Sequence, residues 1–369
     1  MPEFLSPADQ TFRDSLTEFA QQELPPQSDE SRADRRDRIR DAAKSMGLFY
    51  ITQPEGFGGN PGSLLRLTIA RELFAQARQP DSNAAFGPAP GILSGCEEPL
   101  LSSHLAPLMA GTKSCAFAFT EPDDAPRPSW AKRQQGQLLI NGAKSYVTGG
   151  NDADFINALI HIEDEGPAMV AIDCDSPGVE ITRTFKSLDG SHHAYFTFSD
   201  ARVPVSHIVG KPGEGLPRAL RQIGDTRLAI AANCSGIMLW VLDYLSEHIK
   251  RPHRGGNPLS DLESVRLRYA QLRIEAYATR SMLYRTARLG DMGENIVNES
   301  IATKVFATEA VGRIVEDAIQ LVGGQALRTE HPLAQLYTEV RAFKLTEGAS
   351  DVLRLNLARG HLDLEKGRI

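Results

Sequence analysis

The sequence predicts an α+β chain: a helical N-terminal domain, a small antiparallel β domain and a C-terminal four-helix bundle. Three observations predict it. Apolar residues recur at three- and four-residue spacing before about residue 112 and after about residue 216, the period of helices with one buried face. Between these segments lie short runs rich in Val, Ile, Phe and Tyr, cut by Gly, Pro, Asp and Asn, which is the pattern of strands and turns. A length of 369 residues, at roughly 150 per domain, leaves room for two or three such units.

The first domain is expected over residues 1–112. "DQTFRDSLTEFAQQEL", "DRIRDAAKSMGL" and "LLRLTIARELFAQA" carry helical spacing, and "QPEGFGGNPG" is a loop. The second is expected over 113–215, from "SCAFAFT" through "QLLINGAKSYVTGG", "DFINALIHIE", "PAMVAIDCD" and "GVEITRTF" to "HHAYFTFSDARVPV", closing in a hinge-like "GKPGEG". The third is expected over 216–369. Its first segment, ending in "LWVLDYLSEHIK", is long enough for about nine helical turns. Three more helical stretches follow, over "LSDLESVRLRYAQLRIEAYATRSMLYRTARL", "ESIATKVFATEAVGRIVEDAIQLV" and 333–358, and short connections make the bundle antiparallel.

Composition narrows the function. An apolar fraction of 41% with 24% charged residues is that of a globular protein. The net charge of -7, with no basic block, argues against nucleic acid as a partner. No apolar run approaches the roughly 18 residues of a membrane span. The opening "MPEFLSPADQTFRD" has no basic n-region or apolar h-region, so no signal peptide is expected. Cys96, Cys115, Cys174 and Cys234 lie far apart, which fits a reducing cytoplasm rather than a disulfide framework. HExxH, GxSxG, a P-loop and a strand–GxGxxG–helix unit are all missing. His192 and His193 read as strand-edge residues, and no metal site is expected from ligand spacing.

One interruption stands out. In "LYTEVRAFKLTEGASDVLRLNLARG", Leu333, Leu336, Tyr337, Val340 and Phe343 form one apolar stripe, and Val352, Leu353 and Leu357 form another. Gly348 is where the first helix would stop, and Ser350-Asp351 offers an N-cap and a first-turn acid for the second. Two stripes aimed at one core point Glu347 inward, where a carboxylate is costly unless paired, hydrogen-bonded or protonated. A solvated Glu on an ordinary helix–helix loop is the plainer alternative.

"FAFTEPD" (117–123), "KSYVTGG" (144–150) and "AIQLVGGQALRTEHP…LTEGASDVLR" (318–354) together resemble the acyl-CoA dehydrogenase family. The resemblance extends over "MGLFYITQPEGFGG", "VPVSHIVGKPGEG" and "DTRLAIAA", nearly the whole chain. It implies FAD as cofactor and an acyl thioester as substrate. It also implies an electron-transfer flavoprotein as acceptor, and a homo-oligomer or a heteromer with a homologous chain. Glu347 then stands at the family's catalytic base, which takes the proton next to the thioester carbonyl while the β-carbon gives a hydride to the flavin. The backbone N–H of Glu347 stands where the family donates to the thioester carbonyl, and Gly348 falls with the substrate-binding residues.

The remaining roles transfer by position. Phe117, Phe119 and Thr120 match a strand along the flavin ring, although plain strand packing also accounts for the two Phe. Tyr146 stands at an aromatic near the ring, and Thr148 where a hydroxyl faces flavin N5. Gln320, Gly323 and Gly324 match residues that approach the adenine diphosphate, often on a neighbouring subunit, and Gly323 is also a candidate helix C-cap. Asp351 is counted with the cofactor-binding residues. Arg227 matches an Arg at the mouth of the substrate site, with a helix-surface ion pair as the alternative.

The departures are informative. Where the family continues Gly-Ala-Gly-Ser-Asp after "TEP", this chain has Asp123-Asp124-Ala125-Pro126. The family's Arg-x-x-x-Gly loop, with Phe before the Gly, becomes "KRPHRGGNPLSDLESV": Gly255 replaces the Phe, and the Arg slips to Arg251 or Arg254. A later Gln is Glu263, Ala349 replaces a Thr or Ser, and Thr338-Glu339 replaces Arg-Asp. Arg254 is the expected phosphate contact of the altered loop. The leading expectation is dehydrogenation to a trans-2-enoyl thioester. The alternatives are one subunit of a heteromeric dehydrogenase completed by a partner chain, a silent acyl-thioester-binding relative, and a flavin monooxygenase, which Glu347 counts against.

Overall fold

The computed structural model describes residues 4–59, 63–253 and 255–364. Three serines start the N-terminal helices. Ser6, Ser31 and Ser63 accept hydrogen bonds from the N–H groups of Asp9, Asp34 and Arg66, capping α1 (Pro7–Gln22), α2 (Arg32–Ser45) and α3 (Leu64–Ala77). Among the described residues, one further short α-helix, α4 (Ala106–Ala110), precedes the strands. From 48 to 105 the expected helical character gives way, α3 excepted, to short 3₁₀ turns and one π-type turn (Leu101–Leu105). The prolines and glycines of "QPEGFGG" and "FGPAPGILSG" account for that, since neither residue type continues a helix.

Eight strands follow: β1 (Cys115–Ala118), β2 (Trp130–Gln134), β3 (Gln137–Thr148), β4 (Phe155–Ile162), β5 (Gly166–Asp173), β6 (Val179–Lys186), β7 (His192–Pro204) and β8 (Ile208–Val209). Their order is β6-β7-β3-β2-β4-β5-β8, with β1 also on β4. The sheet is antiparallel, as expected, except that β1 and β2 both run parallel to β4, at its start and its end. Alternating residues such as Leu138, Ile140, Phe196 and Phe198 close one core, while Phe155, Met169 and Ala171 face a second with Ile92 and Leu93.

The C-terminal helices are α5 (Gly215–Lys250), α6 (Glu263–Asp291), α7 (Val297–Val322), α8 (Pro332–Phe343) and α9 (Ser350–Leu362). One of them, α5, is long and apolar enough to cross a membrane by length and composition, a run the sequence reading passed over; 67% of its most apolar window is buried inside the protein. The described residues form two compact units. The first holds those up to Phe49, those from 63 to Ala85 and those from Gly224 onward; the second holds those from Tyr50 to 59 and from Phe86 to Ile223.

In the first unit, α6 packs on α3 and α7, and α7 packs on α8 and α9. Gly236 of α5 lies against α3 so closely that a Cβ there would stand 2.1 Å from the Glu72 carbonyl oxygen.

Candidate active site

The interruption at 344–349 is a compact turn in the first unit. The first helix stops at Phe343, five residues before the expected Gly348, and its C-cap is Lys344. Glu347 has φ +55° and Gly348 φ +108°, both left-handed. The second helix has Ala349 rather than Ser350 as its N-cap, which moves Ser350 into the first turn, while Asp351 is the first-turn acid as expected. A non-glycine residue at positive φ costs of order 1–3 kcal/mol and persists only where its surroundings enforce it.

Two buried cations enforce it here. Arg227 Nε donates to the Glu347 carbonyl at 3.1 Å, and Lys304 Nζ donates to the Gly348 carbonyl at 2.9 Å. Lys344 holds the near end of the turn through Glu309 on α7, 3.0 Å away. Arg227 is therefore neither in a surface ion pair nor free, since its guanidinium is committed to the turn. Burial raises the pKa of the half-buried Glu347 carboxyl, with Arg227 and Lys304 pulling it part of the way back. Burial also brings the fully enclosed Lys304 down to about 8.

Sequence reading missed Lys304, although a signal was present. Ile301, Lys304, Val305 and Thr308 share one helical face, and all four are buried.

In the second unit, a register shift between Lys144 and Val147 bulges β3 against β7. At the bulge Tyr146 adopts φ +53° and turns outward, 59% exposed, beside Phe185 and Tyr195 at 5.4 and 5.9 Å between ring centres. Thr148, two residues on, bonds His193 Nδ1 at 3.1 Å. Ser191 gives its proton to Asp189 at 2.6 Å, so its oxygen accepts from His193 Nε2–H at 2.9 Å. For a neutral ring, Nδ1 is then the acceptor, Thr148 is its donor, and the Thr148 oxygen presents lone pairs outward.

Phe117 and Phe119 stack on each other at 5.9 Å and lean on the second core, while Thr120 is exposed. The stretch from Phe119 to Glu121 is tied to β3. Lys144 Nζ donates to Glu121 at 2.5 Å and to the Phe119 carbonyl at 3.1 Å, and Ser145 N–H donates to Thr120 at 2.8 Å. Lys144 and Glu121 lie inside two of the quoted motifs, but nothing in their spacing announced that they pair.

The remaining expected residues lie elsewhere. Gln320 and Gly324 are exposed at the end of α7. Gly323, at φ +83°, caps that helix with its N–H on the Ile319 carbonyl, 2.9 Å away. Asp351 is exposed and paired with Arg354 at 2.8 Å. Arg251 pairs with Glu247 at 3.4 Å, in a loop closed by Gly256 N–H on the His253 carbonyl. Arg254 lies outside the described residues.

Comparison with known proteins puts a family to this arrangement. The acyl-CoA dehydrogenase N-terminal domain model matches residues 6–94, and the C-terminal domain model matches residues 213–362, together nearly two thirds of the chain. The chain belongs to the acyl-CoA dehydrogenase family. It is 26% identical to a probable acyl-CoA dehydrogenase, YngJ, of Bacillus subtilis over 96% of this chain and 98% of that one. It is also 26% identical to a 3-(aryl)acrylate reductase of Clostridium sporogenes, with the same coverage. Among solved structures, one described as PigA with FAD and proline superposes with a TM-score of 0.85 at 21% identity, over 99% of this chain and 100% of that one.

Acyl-CoA dehydrogenases are oxidoreductases that act on CH–CH groups with FAD, and this chain is an enzyme of that kind. Its residues fit FAD in two places: Tyr146 offers an open aromatic face, and the backbone at Gly323 and Gly324 is bare, with nothing within 4 Å of where a Cβ would stand.

If Thr148 faces the flavin, replacing it with Val is expected to shift the visible flavin spectrum and slow reduction, with little change in melting temperature, because the side chain is exposed at the end of β3. An unchanged spectrum and rate would remove Thr148 from the site.

Proposed function

We propose that this acyl-CoA dehydrogenase removes hydrogen from the α and β carbons of an acyl thioester, carried on CoA or a carrier protein, to give the trans-2-enoyl thioester. The observation that carries this reading is the Glu347 turn, where a half-buried carboxyl with raised pKa sits on backbone held by Arg227 and Lys304. Desolvation makes Glu347 a stronger base than a surface carboxylate, and it takes the α-proton. Bound FAD supplies the group that accepts the β-hydride. Arg227 and Lys304 fix the carbonyls of residues 347 and 348, which sets the aim of the Glu347 side chain and of its N–H toward the thioester oxygen. Thr148, Tyr146, Phe117, Phe119 and Thr120 shape the ring face, while Gln320, Gly323, Gly324 and Asp351 serve the far end of the cofactor.

In the same reading, electrons leave to an electron-transfer flavoprotein and the chain works as an oligomer. The four free thiols fit a cytoplasmic setting. A second reading, in which a homologous partner chain completes the site, is favoured by the altered 251–257 loop, where Arg251 is already engaged by Glu247.

The test is an anaerobic screen of acyl-CoA chain lengths with flavin bleaching as the readout. Bleaching by at least one saturated acyl-CoA is expected. Bleaching only after coexpression with a homologous chain favours the second reading. Failure of every acyl thioester, alone and coexpressed, rejects both.

A further inference from the structure

Ligand spacing along the sequence gave no metal site, but the fold of the second unit assembles a candidate set of ligands. His104, in the turn 101–105, lies 69 residues from Asp173 at the end of β5, and its Nε2 is 3.2 Å from Asp173 Oδ1. His207, in the turn before β8, joins them, and one ligand atom from each residue lies within 4.8 Å of the other two. The two imidazole rings are 4.9 Å apart and nearly perpendicular, and His104 is braced edge-on by Phe155 at 4.7 Å.

The hydrogen bonds around the rings decide what they offer. His207 Nδ1 lies 3.0 Å from the Ala171 carbonyl, which can only accept, so Nδ1 carries the hydrogen and a neutral ring offers Nε2 as a lone pair. Ser103 can give its hydroxyl proton to the Pro99 carbonyl at 2.7 Å and then accept from His104 Nδ1–H at 2.8 Å. In the other tautomer the His104–Asp173 contact is an ordinary Nε2–H···Oδ1 hydrogen bond; in this one the His104 Nε2 lone pair faces the Asp173 oxygen at 3.2 Å, where a metal ion can bridge the two atoms. Metal-bound histidines are held this way, with the second ring nitrogen donating to a carbonyl, carboxylate or other acceptor.

We propose that His104, Asp173 and His207 bind one first-row divalent cation, with zinc as the reference metal. Two imidazoles and one carboxylate suit zinc, cobalt or nickel, and leave a fourth position for water. Two ligands at 2.0–2.1 Å on tetrahedral directions stand about 3.3 Å apart, which matches the His104–Asp173 separation of 3.2 Å, and the half-buried His207 closes by up to about 1.5 Å. Lys113 Nζ, 3.7 Å from the same Asp173 oxygen, competes with the metal. The bound ion would tie the turns at 101–105 and 205–207 to the end of β5.

The experiment uses tag-free, full-length protein with its flavin, stripped with chelator and dialysed against Co²⁺. One Co²⁺ per chain is expected, with visible d–d bands beyond the flavin absorption, no thiolate charge-transfer band, and displacement by Zn²⁺. His207→Ala is expected to weaken Co²⁺ binding by at least about tenfold. Lys113→Ala leaves all three ligands in place and is expected to tighten binding, so the proposal stays testable if His207→Ala does not fold. Absence of stoichiometric uptake, a thiolate band, unchanged affinity in His207→Ala, or unchanged or weaker affinity in Lys113→Ala would overturn the site.

Discussion

Glu347→Gln is expected to slow reduction of the flavin by acyl-CoA by at least about 10²–10⁴-fold, the range for loss of a general base, with FAD content unchanged. The amide matches the carboxylate in size and keeps the backbone bonds to Arg227 and Lys304, but it cannot take a proton. Stopped-flow bleaching under anaerobic conditions is the measurement, and a near wild-type rate would discard Glu347 as the base. The pH profile adds an independent check. Burial raises the Glu347 pKa, so the wild-type rate should fall on the acid side at a pH above the usual carboxylate range, as the base becomes protonated. Lys304→Met removes a cation that holds that pKa down, so the acid limb should move to higher pH. A purely structural lysine would lower the amplitude and leave the limb in place.

The largest effect on stability is expected at Glu72. Its carboxylate accepts from Arg280 Nε and Nη2 at 2.8 and 3.0 Å, from Tyr284 at 2.6 Å and from Ser235 at 2.5 Å, all within the first unit. All four residues are buried. Glu72→Ala strands the guanidinium in the interior and should cost about 3–5 kcal/mol by chemical denaturation. Replacing both charges with apolar residues of similar volume should recover much of the loss, because a buried ion pair gives little net stability over good packing. A loss below about 1 kcal/mol for Glu72→Ala would show that Arg280 finds solvent or another acceptor.

The fold was legible because its signals are local. Helical stripes and short β-branched runs each act within a few residues, and the two helices around Glu347 were visible as separate apolar faces. The details of the site depended on contacts that no local pattern encodes. The β3–β7 register that turns Tyr146 outward arises from pairing across some fifty residues. Lys304 could have been read from its place among Ile301, Val305 and Thr308, but a lysine on an amphipathic helix is normally assigned to the wet side. Arg227 shares an inward stripe with Ala231 and Cys234 and misleads in the same way. His104, Asp173 and His207 converge only because one π-type turn and one 3₁₀ turn end beside the same strand, and no spacing rule anticipates that.

The left-handed backbone at Glu347 sets selection for durability against selection for turnover. Glycine at that position would relax the conformation that the side chain makes costly, by an amount on the order of 1 kcal/mol, and would also delete the carboxyl proposed as the base. A lineage without the proposed chemistry would therefore gain by drifting to glycine at this position, one of eight non-glycine residues at positive φ among the described residues. Here a carboxylate stands on that costly backbone, and two buried cations, Arg227 and Lys304, hold it there.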